Sequence, residues 1–141
     1  MTLKNTFDLN INLNKVIIVE SQSKKIKRLR RAWKKKVLRD QEERKNLLNF
    51  ATSKAVAAAA HLKEKYRVEY VYLYGSLARG THFDRLSDID LMVEKFPAEA
   101  NYWRMLVELE EITAPVEVNV VLSEDAGPEL RNKARREGKL L

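Results

Sequence analysis

Apolar residues in this chain recur with two periods. From Ile26 the spacing is three or four: Ile26, Leu29, Trp33 and Val37, then, after a lapse over 40–44, Leu47, Leu48, Ala51, Ala55, Ala58 or Ala59, Leu62 and Tyr66. That spacing marks one face of a helix. Ser21 or Ser23 is a candidate N-cap, and no Gly or Pro intervenes before Tyr66. A single helix and two helices meeting near residue 40 both fit. The second half is predicted to pack on a sheet, and the first half to project, because so many charges cannot be buried. Upstream, Phe7, Leu9, Ile11 and Leu13 alternate with polar residues, which predicts a strand, and Val16 to Val19 is a short apolar run. The pattern does not place residues 1–20 in any larger unit.

Past Tyr66 the period shortens. Val68 to Tyr74 is rich in β-branched and aromatic residues and predicts a strand. Gly75 to Gly80 predicts a turn and a short helix. Residues 88–94 predict a second strand, ended near Pro97, and Glu99 to Thr113 returns to helical spacing. Pro115 ends that helix, Val116 to Leu122 predicts a third strand, and Pro128 and Gly138 bracket a last helix. Tyr70, Tyr72 and Tyr74 share a strand face, so packing against a helix accounts for them more simply than base stacking. Trp33 and Trp103 likewise read as core or interface residues. The fold class is α/β (α+β), a small mixed sheet backed by helices, behind a long basic N-terminal helix. The organisation read from this is an extension over 1–20, a basic helical segment over 21–46 and a folded domain over 47–141.

Charge sharpens that division. The net charge of +7 is unevenly spread: residues 24–39 contain ten Lys or Arg and no Asp or Glu, which leaves 17 basic against 20 acidic residues elsewhere. Like charges at i and i+4 repel along a helix, so such a run favours an anionic partner. A solvated face, an RNA or DNA, and an acidic protein surface all remain open. A chain of 141 residues holds one compact domain and an appendage. It has no cysteine, which excludes a disulfide framework or thiolate zinc site, and only two histidines, His61 and His82. His82 reads as a loop residue. The longest apolar stretch, Ala55 to Ala60, is too short for a membrane span, and no segment resembles a signal peptide. The expectation is a cytoplasmic protein with no membrane partner.

The chemistry lies in residues 74–91. Gly75 and Ser76 close an apolar strand, and after eleven intervening residues come Asp88 and Asp90, spaced by Ile89. Residues two apart on a strand share a face, so the two carboxylates project together while Ile89 and Leu91 turn into a core. Side by side they repel, and a divalent cation with a preference for hard oxygen ligands, such as magnesium, relieves this. Gly75 lets a phosphate approach the backbone. Ser76 offers a hydroxyl and an N–H near a helix start, and Arg79 adds a forked donor three residues on, unless it pairs with Asp84 or another local acid.

The Gly-Ser pair, Ala78-Arg79-Gly80 and Ser87-Asp88-Ile89-Asp90-Leu91 together resemble the minimal nucleotidyltransferases of the DNA polymerase beta superfamily, as does the ending from Pro128 through Gly138. The resemblance covers roughly residues 50–141. It implies the nucleotidyltransferase fold and transfer of a nucleoside monophosphate, by attack on the α-phosphorus of ATP with two magnesium ions held by Asp88 and Asp90. It also implies a third carboxylate on the strand over 116–122, and there the chain departs: the position falls on Asn119, which is neutral. Glu117, two residues earlier on the same face, is either the substitute ligand and base or a solvated strand residue. Stand-alone members of this type are commonly antitoxins that transfer AMP to a tyrosine hydroxyl of a helical HEPN-type toxin. The site residues expected on these grounds are Gly75, Ser76 and Arg79 for the nucleotide and Asp88, Asp90 and Glu117 for metal and catalysis. The competing expectation is an inactive module that binds a partner protein or RNA through residues 24–39. Self-association through the long helix is a further option, although its apolar stripe lapses early for a coiled coil.

Overall fold

The computed structural model describes residues 2–141, with side chains described at Lys15 and from Ile18 onward. Its elements are α1 (Thr2–Tyr66), β1 (Tyr70–Tyr74), α2 (Gly75–Arg79), β2 (Ile89–Glu94), α3 (Tyr102–Thr113), β3 (Val118–Leu122), α4 (Pro128–Glu137) and β4 (Lys139–Leu140). The order predicted after Tyr66 holds, with β4 added at the C-terminus. The single-helix option holds for α1. The helix also takes in 7–13, where alternation predicted a strand. A helix satisfies the backbone polar groups of this stretch within the segment, without a partner strand.

The chain divides into two compact units, one ending at Glu43 and one spanning Arg44–Leu141. The first is helical throughout its described length. The second is built on a four-stranded sheet in the order β3-β2-β1-β4. β1 runs antiparallel to β2 and to β4, and β2 runs parallel to β3.

Alternation on the strands separates two cores. Val71 and Leu73 of β1, Ile89, Leu91 and Val93 of β2, and Val118 and Val120 of β3 face one side. There they meet Ala51, Ala55, Ala58, Ala59, Leu62 and Tyr66 of α1 and Met105 and Leu109 of α3. The alanines recur every three or four residues and are almost wholly buried. Without bulk on that stripe the helix lies close to the sheet, which the Leu and Val side chains of the strands fill. On the opposite side Met92 packs with Ala126, Ala134 and Leu130, and Tyr72 and Tyr74 lie against this cluster. The predicted tyrosine face therefore meets a helix, α4, except that Tyr70 sits at the rim beneath Lys95.

The helix ends follow local chemistry. α3 starts at Asn101, whose side-chain oxygen accepts from the Arg104 N–H at 3.1 Å. α4 has Pro128 in its first turn and closes on Gly138, whose N–H donates to the Ala134 carbonyl. α1 and α3 are joined through Glu108, which accepts from the Tyr66 hydroxyl at 2.7 Å, pairs with His61 at 2.8 Å, and is also bonded by Lys65. These donors, Lys65 foremost, pull the Glu108 carboxyl down to about 2. Burial, with the Glu108 bond next, pushes the Tyr66 hydroxyl up to about 12. Among the described residues no helix is long and apolar enough to cross a membrane.

Candidate active site

β1 ends at Tyr74 directly opposite Asp90 on β2, and the chain turns at once into α2. Gly75 makes this possible twice over. Its φ is +79°, a conformation that side chains rarely adopt, and a Cβ there would overlap Asp90 Oδ2 and come within 3.3 Å of Asp90 Cγ. The first residue of the Gly-Ser pair is thus a space kept open for the second carboxylate of the Asp pair. Ser76, the second residue of α2, is half-buried, while Leu77 and Ala78 anchor the turn in the core. α2 is little more than one turn long, so what it can offer an anion is its free N–H groups rather than a macrodipole.

The loop between α2 and β2 is self-braced. Asp84 Oδ1 accepts from the Leu86 N–H at 2.8 Å and from the Ser87 hydroxyl at 3.1 Å, and Ser87 Oγ accepts from the Asp84 N–H at 3.0 Å. Phe83 is buried beneath it and His82 is exposed. This ring delivers the chain to Asp88 in a fixed direction. It also occupies Asp84, so the alternative pairing of Asp84 with Arg79 is not what the structure contains.

Asp88 lies just before β2 and Asp90 within it, and parallel β3 sets Asn119 beside them, in register with Asp90. Asn119 Nδ2 donates to Asp88 Oδ2 at 3.1 Å and to Asp90 Oδ1 at 3.3 Å. One neutral amide therefore bridges two carboxylates. Burial, and secondarily the charge of Asp88, raise the Asp90 carboxyl, while the Asn119 bond and the charge of Arg79 act in the opposite direction. Tyr74, across the ladder, is raised by burial and then by Asp90.

The structure thus brings Gly75, Asp88, Asp90 and Asn119 together, with Arg79 close enough to act on Asp90. Glu117 lies just before β3, exposed, with its carbonyl accepting from the Ile89 N–H at 2.8 Å. It borders a groove of about 440 Å³ shared with Glu110, Pro115 and Asn119. Among the described residues no three His, Cys, Asp or Glu side chains are grouped as metal ligands. The donor set nonetheless suits magnesium. Two hard carboxylate oxygens converge on one point, bridged by a single uncharged N–H₂ that leaves their charge uncompensated, and the Asn119 carbonyl oxygen is a third hard donor on the same side chain.

A second cavity, of about 170 Å³, opens on the other flank of Gly75. Tyr74, Gly75, Ala78 and Arg79 form one wall, and Leu130, Lys133 and Glu137 of α4 the other. Lys133 was not singled out in the sequence. Its signal is the spacing of Leu130, Lys133 and Glu137 on one face of α4, legible only once α4 is known to lie along β1.

The family described as "Polymerase beta, Nucleotidyltransferase" matches residues 58–141. The chain belongs to this family. A Methanocaldococcus jannaschii protein named "Putative protein adenylyltransferase" is 42% identical over 55 residues. That match covers 36% of this chain, and the chain spans about half the length of that relative, 54%. A solved "Structure of putative minimal nucleotidyltransferase" aligns over 67% of this chain and 95% of its own, at 27% identity and a TM-score of 0.54. A toxin-antitoxin crystal structure with AMP-PNP aligns over 60% of this chain and 69% of its own, at 24% identity and a TM-score of 0.49, a likeness that carries no argument about partner or ligand. The chain therefore has the family's fold, with the Gly-Ser turn following β1 and the Asp pair at the start of β2, the strand beside it.

Proposed function

We propose that the protein transfers AMP from ATP to a hydroxyl on another protein, as the antitoxin partner of a HEPN-type toxin. The observation that carries the transferase reading is the convergence of Asp88 and Asp90 on one point beside the backbone space at Gly75. The protein acceptor is supported by the adenylyltransferase relative, and the toxin by the resemblance to stand-alone minimal nucleotidyltransferases.

In this reading Asp88 and Asp90 hold magnesium, with the Asn119 amide turned to present its oxygen. The ion supplies positive charge where the triphosphate's negative charge must be neutralised. Gly75 gives Asp90 its place beside the turn, Ser76 donates to the phosphates, and Arg79 and Lys133, both lining the small cavity, flank them with cations. The acceptor oxygen attacks the α-phosphorus, the bond to the pyrophosphate oxygen breaks, and the acceptor's proton passes to Glu117 in the adjoining groove. Asn119 is unable to take it. Positioning and charge stabilisation do most of the work in such a transfer.

The test combines calorimetric titration of ATP, with and without magnesium, with transfer of label from α-labelled ATP to a HEPN-type protein. Magnesium-dependent binding that disappears in Asp88→Ala/Asp90→Ala supports the nucleotide site. Labelling cut by about 10²–10⁴ in Glu117→Gln supports the base. Absence of any magnesium-dependent nucleotide binding overturns the enzyme. It favours the second reading, an inactive module acting by contact alone, for which Asn119 in place of a carboxylate is the specific observation.

A further inference from the structure

The ten cations of residues 24–39 are not evenly arranged around α1. With 3.6 residues per turn, Lys24, Lys27, Arg28, Arg31, Lys35 and Arg39 recur at spacings of three and four and form one row. All six are exposed, and Lys24, Lys27, Arg28 and Arg31 line a common depression. Ile26, Leu29 and Trp33 occupy the opposite face, where they line a separate apolar patch. Lys25, Arg30, Lys34 and Lys36 lie between the two. Among the described residues, none of the ten basic side chains is in an ion pair. The row therefore carries like charges one turn apart, at 24 and 28, 27 and 31, 31 and 35, and 35 and 39, with no local compensation.

We propose that this row is a docking face for a nucleic-acid strand, held through its phosphates. The argument is which partner uses the row. A hydrophobic protein groove, or an anionic membrane, takes up the Ile26, Leu29 and Trp33 face. That leaves the six-cation row pointing away from the partner. A polyanion with regularly repeated charge instead engages the row along its length. Sixteen residues of helix extend about 24 Å, long enough for the row to meet several successive phosphates of a strand. Binding of this kind is independent of base sequence, because the row is made of long, exposed Lys and Arg side chains with no side-chain amide or acid among them to read a base edge. The inference stands apart from the transferase reading and survives its failure.

The experiment is fluorescence anisotropy of the full chain with a labelled 20-nucleotide RNA and with a DNA duplex of equal length, from 50 to 200 mM salt. Affinity is expected to fall about 10³-fold over that range, as for six phosphate contacts. Lys24→Gln/Lys27→Gln/Arg28→Gln/Arg31→Gln should bind at least 10-fold more weakly at 100 mM salt, with a visibly shallower salt slope, while its circular dichroism stays helical because Gln is a good helix former. Trp33→Ala should leave the affinity unchanged. The proposal is overturned by no salt-sensitive binding of either nucleic acid, by unchanged binding of the four-Gln variant, or by displacement of the RNA by polyglutamate at equal charge. The last assigns the row to acidic proteins. Binding lost in Trp33→Ala also overturns it and assigns docking to the apolar face.

Discussion

Two residues decide whether the carboxylate pair is usable. At Gly75 a side chain meets both an unfavourable φ and the Asp90 carboxylate, so Gly75→Ala is expected to cost about 1–3 kcal/mol from the backbone alone, plus a steric part. Denaturant unfolding in wild-type and Asp90→Ala backgrounds separates the two: the cost should shrink by at least about 0.5 kcal/mol when Asp90 is removed. Equal cost in both backgrounds would sink the steric reading. At Asn119 the amide donates to two carboxylates. Asn119→Asp replaces both bonds with repulsion and should lower stability by about 1 kcal/mol without metal. Magnesium should restore it, and magnesium affinity measured by calorimetry should rise at least tenfold. A variant no more responsive to magnesium than wild type would show that the pair is not where the ion binds. Much of this geometry was legible beforehand: the Gly-Ser turn and the alternation of Asp88 and Asp90 needed only chain-local rules. The bridging role of Asn119 was not, because it depends on the register of β3 on β2, which no local pattern encodes. Glu117, equally acidic on paper, borders the neighbouring groove for the same reason.

The long helix works against the sheet through small residues. Ala58 is completely buried in the α1 stripe, so Ala58→Leu has no room and should cost about 1–3 kcal/mol by overpacking. A melting temperature unchanged in this variant would mean the stripe is loosely packed. The Glu108 cluster ties α1 to α3, and its pH dependence has a definite sign. The carboxyl sits near 2 in the folded chain against an ordinary value of 4.5. A depressed folded value means stability that is fully present above pH 4.5 and lost progressively as pH falls toward 2. Urea midpoints at pH 6 and pH 3 should therefore differ less in Glu108→Gln than in wild type. A parallel shift in the two proteins would contradict the ion-pair account. Elements with a strong period, α1 after Leu47 and α3, were legible because one apolar face met one core, and α4 was legible from Pro128 and Gly138 at its ends. The alternation over 7–13 misled because a strand period counts only where a neighbour supplies the ladder. β4 escaped notice because two residues carry no period at all.

At the scale of the whole molecule, charge and core divide the chain in nearly the same place. The ten uncompensated cations end at Arg39, the compact unit that contains the sheet begins at Arg44, and its core begins at Leu47. If the core after Leu47 is self-sufficient, the basic segment stabilises nothing in the sheet and its repulsions are a cost carried for binding. A chain of residues 44–141 should then fold with a stability change under about 1 kcal/mol, which for a domain of roughly 100 residues is a melting shift smaller than about 4–8 °C. It should bind ATP and magnesium as the full chain does, and its salt-sensitive affinity for RNA should be gone. Calorimetric melting, calorimetric titration with ATP and magnesium, and the same anisotropy titration measure the three on one preparation. A truncated chain that melts far lower would show that residues before Arg44 hold the sheet domain together. One that folds normally yet keeps its salt-sensitive grip on RNA would move the phosphate-binding face from α1 to the sheet domain, where Arg79 and Lys133 are the cations already gathered around the site.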